Sequence, residues 1–218
     1  MPLKLYHVTT DEIFKSVVEV EIEAYSNPYN GVFEITRGTS QEECCSRQLS
    51  WHKSDPSSHW LYVIDEESGQ VLGGAQWNIH RSNPYEVAQP MRTAYWLPDD
   101  RLLLKGPMKQ IGDQLVRNLR TRRPNHMSKP HILLTYCFVH SSHRRRGAAS
   151  LMLKWGTDKA DELGLEAFIE STDIARPAYK KHGFRVIGEL NMDAQSESKN
   201  NEFDAVRERL GCPIHGWI

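Results

Sequence analysis

Three consecutive arginines followed by a glycine and two alanines, Arg144-Arg145-Arg146-Gly147-Ala148-Ala149, are the residues best suited to chemistry. They join an apolar run, His131–Val139, to a segment from Gly147 to Leu163 whose apolar residues recur at helical spacing. Glycine lets a backbone approach a ligand closely, because it has no side chain. The free amides of a helix's first turn, together with the helix dipole, favour an anion. Arginines beside them add charge-assisted donors. The arrangement reads as an anion site, suited to a diphosphate-bearing molecule. A glycine at a strand–turn–helix junction is also common as a plain chain reversal. Neither the glycine–lysine phosphate loop nor the GxGxxG dinucleotide fingerprint is present, so the anion is held by another device.

The flanking elements must position this turn. His131–Val139 is nearly all apolar, which predicts a central strand covered on both faces. The helix after the turn has Leu151, Met152, Trp155 and Leu163 on its apolar side. Leu165–Glu170 predicts a second strand, Ala175–His182 a short helix stopped by Gly183, and Phe184–Leu190 a third strand. Strand–helix–strand–helix–strand implies an α/β sheet with at least one parallel pair. Upstream, Leu3–Val8 predicts a strand. Thr10 or Asp11 caps a helix bearing Ile13, Val17, Val20 and Ala24, and Asn27–Gly31 ends it. Ser40 to Glu43 reads as a capping box for a helix reaching about His52. Trp60–Ile64 and Val71–Ile79 predict a hairpin. Residues 80–106 have no clear period and predict a long loop that covers part of a site. Met108–Arg122 predicts a helix, with Pro124 and Pro130 closing it off, and Asp193–Glu202 predicts a mobile loop.

With these residues in place the chain resembles the GNAT superfamily of N-acetyltransferases. Arg144-x-x-Gly147-x-Ala149 matches that family's turn motif, and Phe138-Val139-His140 resembles the end of its fourth strand. Ala175–Phe184 is similar to its A-x-x-x-Y-x-x-x-G-F segment. The specific resemblance covers residues 131–190, and the whole chain, 1–218, is taken as one N-acetyltransferase domain. It implies a mixed, mostly antiparallel sheet with a splayed parallel strand pair, flanked by helices. It implies acetyl-coenzyme A as acyl donor, with Phe138 and Val139 pairing with the pantetheine arm. Arg144, Arg145, Arg146, Gly147, Ala148 and Ala149 would hold the pyrophosphate. An amine attacks the thioester directly, without an acyl-enzyme. Tyr179 matches the tyrosine that in many members protonates the leaving thiolate; its structural alternative is a packed aromatic on a short helix. Thr172 stands where many members carry asparagine, and a hydroxyl can make one of that amide's contacts but not both.

The base that takes the amine's proton stays open among Glu34, Glu170, Asp173, His140 and a water chain to a remote carboxylate. Glu170 alternatively reads as a core carboxylate paired with an arginine. Tyr25, Tyr29, Phe33, Trp77, Tyr85, Tyr95 and Trp96 lie in segments that line the acceptor side in relatives, or simply pack. A small-molecule amine is the first choice of acceptor. A protein or peptide acetyltransferase and a non-catalytic acyl-coenzyme A binder are the alternatives, and a homodimer stays open.

Composition narrows the field. Lysine plus arginine total 27 against 28 for aspartate plus glutamate, which argues against a nucleic-acid partner despite the basic stretch Arg117–Arg123. No run approaches the roughly 18 apolar residues that span a bilayer, so no membrane partner is expected. Cys44, Cys45, Cys137 and Cys212 form no CxxC pair. They read as reduced thiols of a cytoplasmic protein, with no metal among them, and Cys137, with no base motif beside it, is not read as a nucleophile.

Overall fold

A computed structural model describes residues 2–38, 40–86 and 105–218. Five strands, Leu3–His7 (β1), Ser58–Asp65 (β2), Val71–His80 (β3), His131–Val139 (β4) and Glu166–Ile169 (β5), form one sheet in chain order. The first four are antiparallel to their neighbours, and β4 and β5 are parallel. The helices are Asp11–Ser26 (α1), Gly31–Arg37 (α2), Gln41–Ser54 (α3), Gly106–His126 (α4), Ala148–Leu163 (α5), Arg176–Lys181 (α6) and Asn201–Arg209 (α7). Two further strands, Glu189–Met192 (β6) and Ile214–Trp217 (β7), pair with each other. Among the described residues no helix is long and apolar enough to cross a membrane.

Local signals explain most boundaries. Thr10, Asn30, Ser40 and Asn200 each accept a backbone amide from the first turn of the helix they begin. The apolar stripe of α1 is turned from its expected setting: Phe14, Val17, Val18, Glu21 and Ala24 are the buried positions, not Ile13 and Val20. Close approach to the sheet fixes that rotation. A Cβ on Gly74 of β3 would lie 2.7 Å from Val17 Cγ1 and 2.8 Å from Phe138 Cζ, so only glycine admits α1 there. α5 covers the opposite face, where Met152 and Leu153 pack on Leu61, Val63, Ala75, Trp77, Ile132 and Leu134. Trp77 is fully buried, and its Nε1 donates to the Met152 carbonyl at 3.2 Å. It is a core residue, not part of an acceptor wall.

The feature that makes room for a ligand is the parting of β4 and β5. Their pairing stops at Leu134 and Ile169. Past that point Ser171 bonds instead to Trp217 of β7, its N–H donating at 2.7 Å and its carbonyl accepting at 2.8 Å. β7 therefore draws the chain after β5 away, and Thr135–Val139 of β4 keep no strand partner on that side among the described residues.

Several expectations need correction. Phe184–Leu190 is not a third strand of the main sheet; the strand starts at Glu189 and pairs with β7. α4 runs through Pro124 to His126. The polar stretch after Asp193 is tied at its start: Arg207 holds the Asp193 carboxylate through Nε and Nη2 at 2.8 and 2.7 Å, and Gln114 Nε2 donates to the Gln195 carbonyl. It gives way to α7 at Asn201. α2, α7 and β7 had no distinct sequence signal. Residues 87–104, which hold most of the expected covering loop with Tyr95 and Trp96, lie outside the described residues.

A Cβ on Gly216 of β7 would lie 2.8 Å from the Ser171 carbonyl. Gly216→Val should push β7 off its partner and cost about 1–3 kcal/mol in urea unfolding, the usual scale of overpacking. A midpoint equal to wild type would show that this bridge does not constrain the fold.

Candidate active site

The open edge of β4 has a defined chemistry. His140 N–H donates to the Leu72 carbonyl at 2.8 Å, and Phe138 lies opposite Gly74. Backbone groups alternate along an antiparallel strand, so Phe138 and His140 face β3 while Cys137 and Val139 face the gap. Of the pair expected at this edge, Val139 is therefore the one presented. Phe138 is tied to β3, and its ring is 4 % exposed in the core. The Cys137 backbone, which sequence reasoning passed over, takes its place on the edge.

The turn that follows separates the three arginines. Arg144 reaches back, its Nε donating to the Val139 carbonyl at 3.2 Å and its Nη2 to the Ala24 carbonyl at 2.8 Å. Arg146 bonds through Nη2 to Asp65 Oδ2 at 2.6 Å, which holds that buried carboxyl below its usual range. These two fasten the turn to α1 and β2. Arg145, exposed at φ +61°, has no hydrogen-bond or ion-pair partner among the described residues. Gly147 begins α5 at φ +102°, where a side chain is strained and where a Cβ would meet no protein atom within 4 Å. No side chain caps α5, so the amides of Ala148 and Ala149 look into that space. An anion seated there would meet free amides and one free guanidinium.

Tyr179 stands on α6, half-buried against the α5 side of the core, with Phe184 edge-on at 6.4 Å between ring centroids. Burial, with a smaller effect of the Cys137 thiol, pushes its phenol well above its ordinary value, so it stays protonated. Its hydroxyl has no hydrogen-bond partner among the described residues. Burial also pushes the Cys137 thiol up to about 12, which leaves it unreactive as a nucleophile. Thr172 is exposed after β5; its carbonyl accepts from the Ala175 and Arg176 amides, and its hydroxyl is unengaged.

Each carboxylate considered as a base, and the histidine, has a partner in the structure. Arg123 of α4 clamps Glu170 with two bonds, 2.8 and 2.6 Å, so Glu170 is the paired core carboxylate. Trp217 Nε1 donates to Asp173 at 2.6 Å, and His215 lies 3.4 Å from its other oxygen. Glu34 pairs with Arg37, and His140 Nδ1 accepts from the Ser142 amide. A further buried carboxylate, which sequence reasoning passed over, is Glu21. It is fully buried beneath Tyr25 and Tyr136, and burial raises its carboxyl to about 8, opposed by a 2.8 Å bond from Gln48 and by the charge of Arg47. A carboxylate on the apolar stripe of α1, four residues after Val17, was the available signal. Trp60 and Tyr136, 5.8 Å apart, join Tyr25, Phe33 and Phe138 in an aromatic cluster beneath α1, in which Trp60, Phe33 and Phe138 are buried.

The pattern of the acetyltransferase (GNAT) family matches residues 22–184. Among solved structures, one from Corynebacterium glutamicum, described as histone acetyltransferase HPA2 and related acetyltransferase, is 16% identical. That alignment covers 100% of this chain and 96% of that one at a TM-score of 0.57. AAC(6')-Iy, solved with a coenzyme A bisubstrate analog, is 10% identical over 92% of this chain and 100% of its own at 0.51. An aminoglycoside acetyltransferase from an uncultured soil metagenomic sample is 14% identical over 90% and 100% at 0.50. No curated protein matches the sequence.

The unequal work of the arginines is testable. Arg145→Ala should leave unfolding free energy within about 0.5 kcal/mol of wild type. It should weaken acetyl-coenzyme A binding about tenfold, the scale of one charge-assisted hydrogen bond. Arg146→Ala should lower the unfolding midpoint, because Asp65 loses its partner. The reverse ranking in parallel calorimetry and denaturation would contradict the assignment.

Proposed function

The chain belongs to the acetyltransferase (GNAT) family, and we propose that it is a single-domain N-acetyltransferase moving the acetyl group of acetyl-coenzyme A to a primary amine of a small molecule. One observation carries this reading: a strand edge, unpaired among the described residues, that ends in a glycine turn at an uncapped helix, with the Tyr179 phenol beside the gap. The family uses acetyl-coenzyme A, and a neighbour of the same fold was solved with a coenzyme A analog.

The pantetheine arm adds to β4 as an extended strand, meeting the backbones of Cys137 and Val139. The diphosphate rests on the amides from Gly147 to Ala149 beside Arg145, while Arg144 and Arg146 keep the turn rigid. The thioester then lies in the gap between β4 and the Ser171–Thr172 segment, where the Thr172 hydroxyl makes one contact. The neutral amine attacks the carbonyl carbon; the C–N bond forms and the C–S bond breaks. Tyr179 gives its proton to the departing thiolate. Cys137, with its thiol protonated, takes no covalent part.

The rings of Tyr25, Phe33, Trp60, Tyr136 and Phe138 pack closely on the α1 face of the sheet, and the half-buried Tyr25 and Tyr136 are the two that can meet a compact amine. The aminoglycoside-modifying proteins among the structural neighbours agree with that choice. Four free cysteines suit a cytoplasmic enzyme.

Thiol release from acetyl-coenzyme A in the presence of kanamycin, spermidine, glucosamine 6-phosphate or a lysine-containing peptide tests the reading. One small amine should turn over faster than the peptide. Tyr179→Phe should lower kcat with it by about 100-fold, the lower end of general acid catalysis, with acetyl-coenzyme A affinity unchanged. Full activity in that variant would make Tyr179 a packing residue, and failure of every amine would remove the function.

A further inference from the structure

Among the described residues, four buried polar atoms lie without partners on the α1–α3 side of the sheet: Glu21 Oε1, Arg47 Nη1, Gln48 Oε1 and Trp60 Nε1. Such atoms are rare in folded proteins, and each costs stability. Glu21 is the one that can move a proton. It is fully buried, and Gln48 holds its Oε2 at 2.8 Å while Oε1 is bare. Its neighbours on the stripe are the apolar Val17, Val18 and Ala24, and the polar groups set against it are Gln48 and the buried Arg47.

Its position matters. Tyr25 follows Glu21 by one helical turn, so the two share a face of α1. That face lies on β3 and β4, where the Tyr25 ring sits 5.8 Å from Phe138, and Tyr136 shares the Trp60 stack. Tyr136 immediately precedes the open edge at Cys137. Tyr179 reaches the same edge from the opposite, α5-covered face. The site is thus flanked by a carboxylate behind two phenols on one side and a proton-donating phenol on the other.

Building on the acetyl-transfer reading above, we propose that Glu21 is the terminal proton acceptor of the reaction, reached from the acceptor amine through water at its bare oxygen between Tyr25 and Tyr136. The protons balance as follows. The ammonium gives one proton to Glu21 and becomes the attacking amine. After the C–N bond forms, the nitrogen's second departing proton replaces the one that Tyr179 supplies to the thiolate, so the thiol leaves neutral. Glu21 returns its proton to solvent, one per turnover.

The charged and titratable groups facing Glu21 are Arg47 and Cys44 of α3, Tyr25 of α1 and Tyr136 of β4, beside the neutral Gln48. Burial outweighs the Gln48 bond and the Arg47 charge, and the carboxyl titrates at about 8. Folding therefore favours the protonated acid. Stability is fully present below the unfolded value of 4.5 and falls as pH rises towards 8. An acid that costs stability at working pH is explained by function better than by packing.

The test uses kcat against pH with the fastest amine of the panel above. Wild-type kcat should climb with pH to a plateau, with a midpoint near 8. Glu21→Gln should lose that limb and about 100-fold in kcat, keep its acetyl-coenzyme A affinity, and melt higher than wild type at alkaline pH. Gln48→Leu, which removes a bond that stabilises the carboxylate, should move the midpoint upward. Glu21→Asp should keep the limb at a rate at least tenfold below wild type, and it stands in if the glutamine variant does not fold. An unchanged profile in Glu21→Gln, a wild-type rate in Glu21→Asp, or an unmoved midpoint in Gln48→Leu would overturn the assignment and leave acetyl transfer standing. No acetylation of any amine by the wild-type protein would overturn both.

Discussion

Two backbone hydrogen bonds between Ser171 and Trp217 govern the usable shape of this protein. A parallel pair such as β4 and β5 would otherwise continue to register along its length, and the edge of β4 would be buried. By giving Ser171 another partner, β7 ends the pairing at Leu134 and Ile169 and leaves a strand edge exposed beside a helix N-terminus. An exposed edge is normally a liability that proteins cover. Here it faces a gap beside Tyr179, which suits it to a ligand that pairs as a strand does. The small β6–β7 sheet and the α4–α7 layer behind it serve to hold that gap open.

The electrostatics of the turn follow the same division between scaffold and site. A run of three arginines would repel itself without counter-charges. Asp65 neutralises Arg146, and the Val139 and Ala24 carbonyls absorb Arg144. What remains for an incoming anion is one guanidinium and a row of amides, held in place before it arrives. On the other side of the gap Arg123 neutralises Glu170, so the carboxylate nearest the parted strands is spent on tying α4 to β5.

Much of this was legible in the sequence. The apolar run of β4, the Gly147 turn and the helix after it were readable because burial on both faces, a positive φ and helical periodicity each leave a local mark. The same holds for the Ser40 cap of α3 and the β2–β3 hairpin. What escaped depends on tertiary pairing. β7 is short and half-exposed, and its role is a bridge to a residue far away in sequence. The roles of the three arginines could not be separated, because their partners Asp65 and Ala24 come from distant elements. Trp77 and Trp60 are both aromatic residues on neighbouring strands, yet the pleat sends one under α5 and the other beneath α1. Glu21 was readable in principle, as an acid on an apolar stripe, but only its burial gives the pattern meaning.

The most direct measurement is a calorimetric titration of the wild-type protein with acetyl-coenzyme A. Saturable binding at a single site with micromolar affinity is expected, weakened by salt as a diphosphate on amides and Arg145 requires. No binding heat, or binding unaffected by salt and by Arg145→Ala, would contradict the claim that the parted strands and the Gly147 turn form an acyl-coenzyme A site.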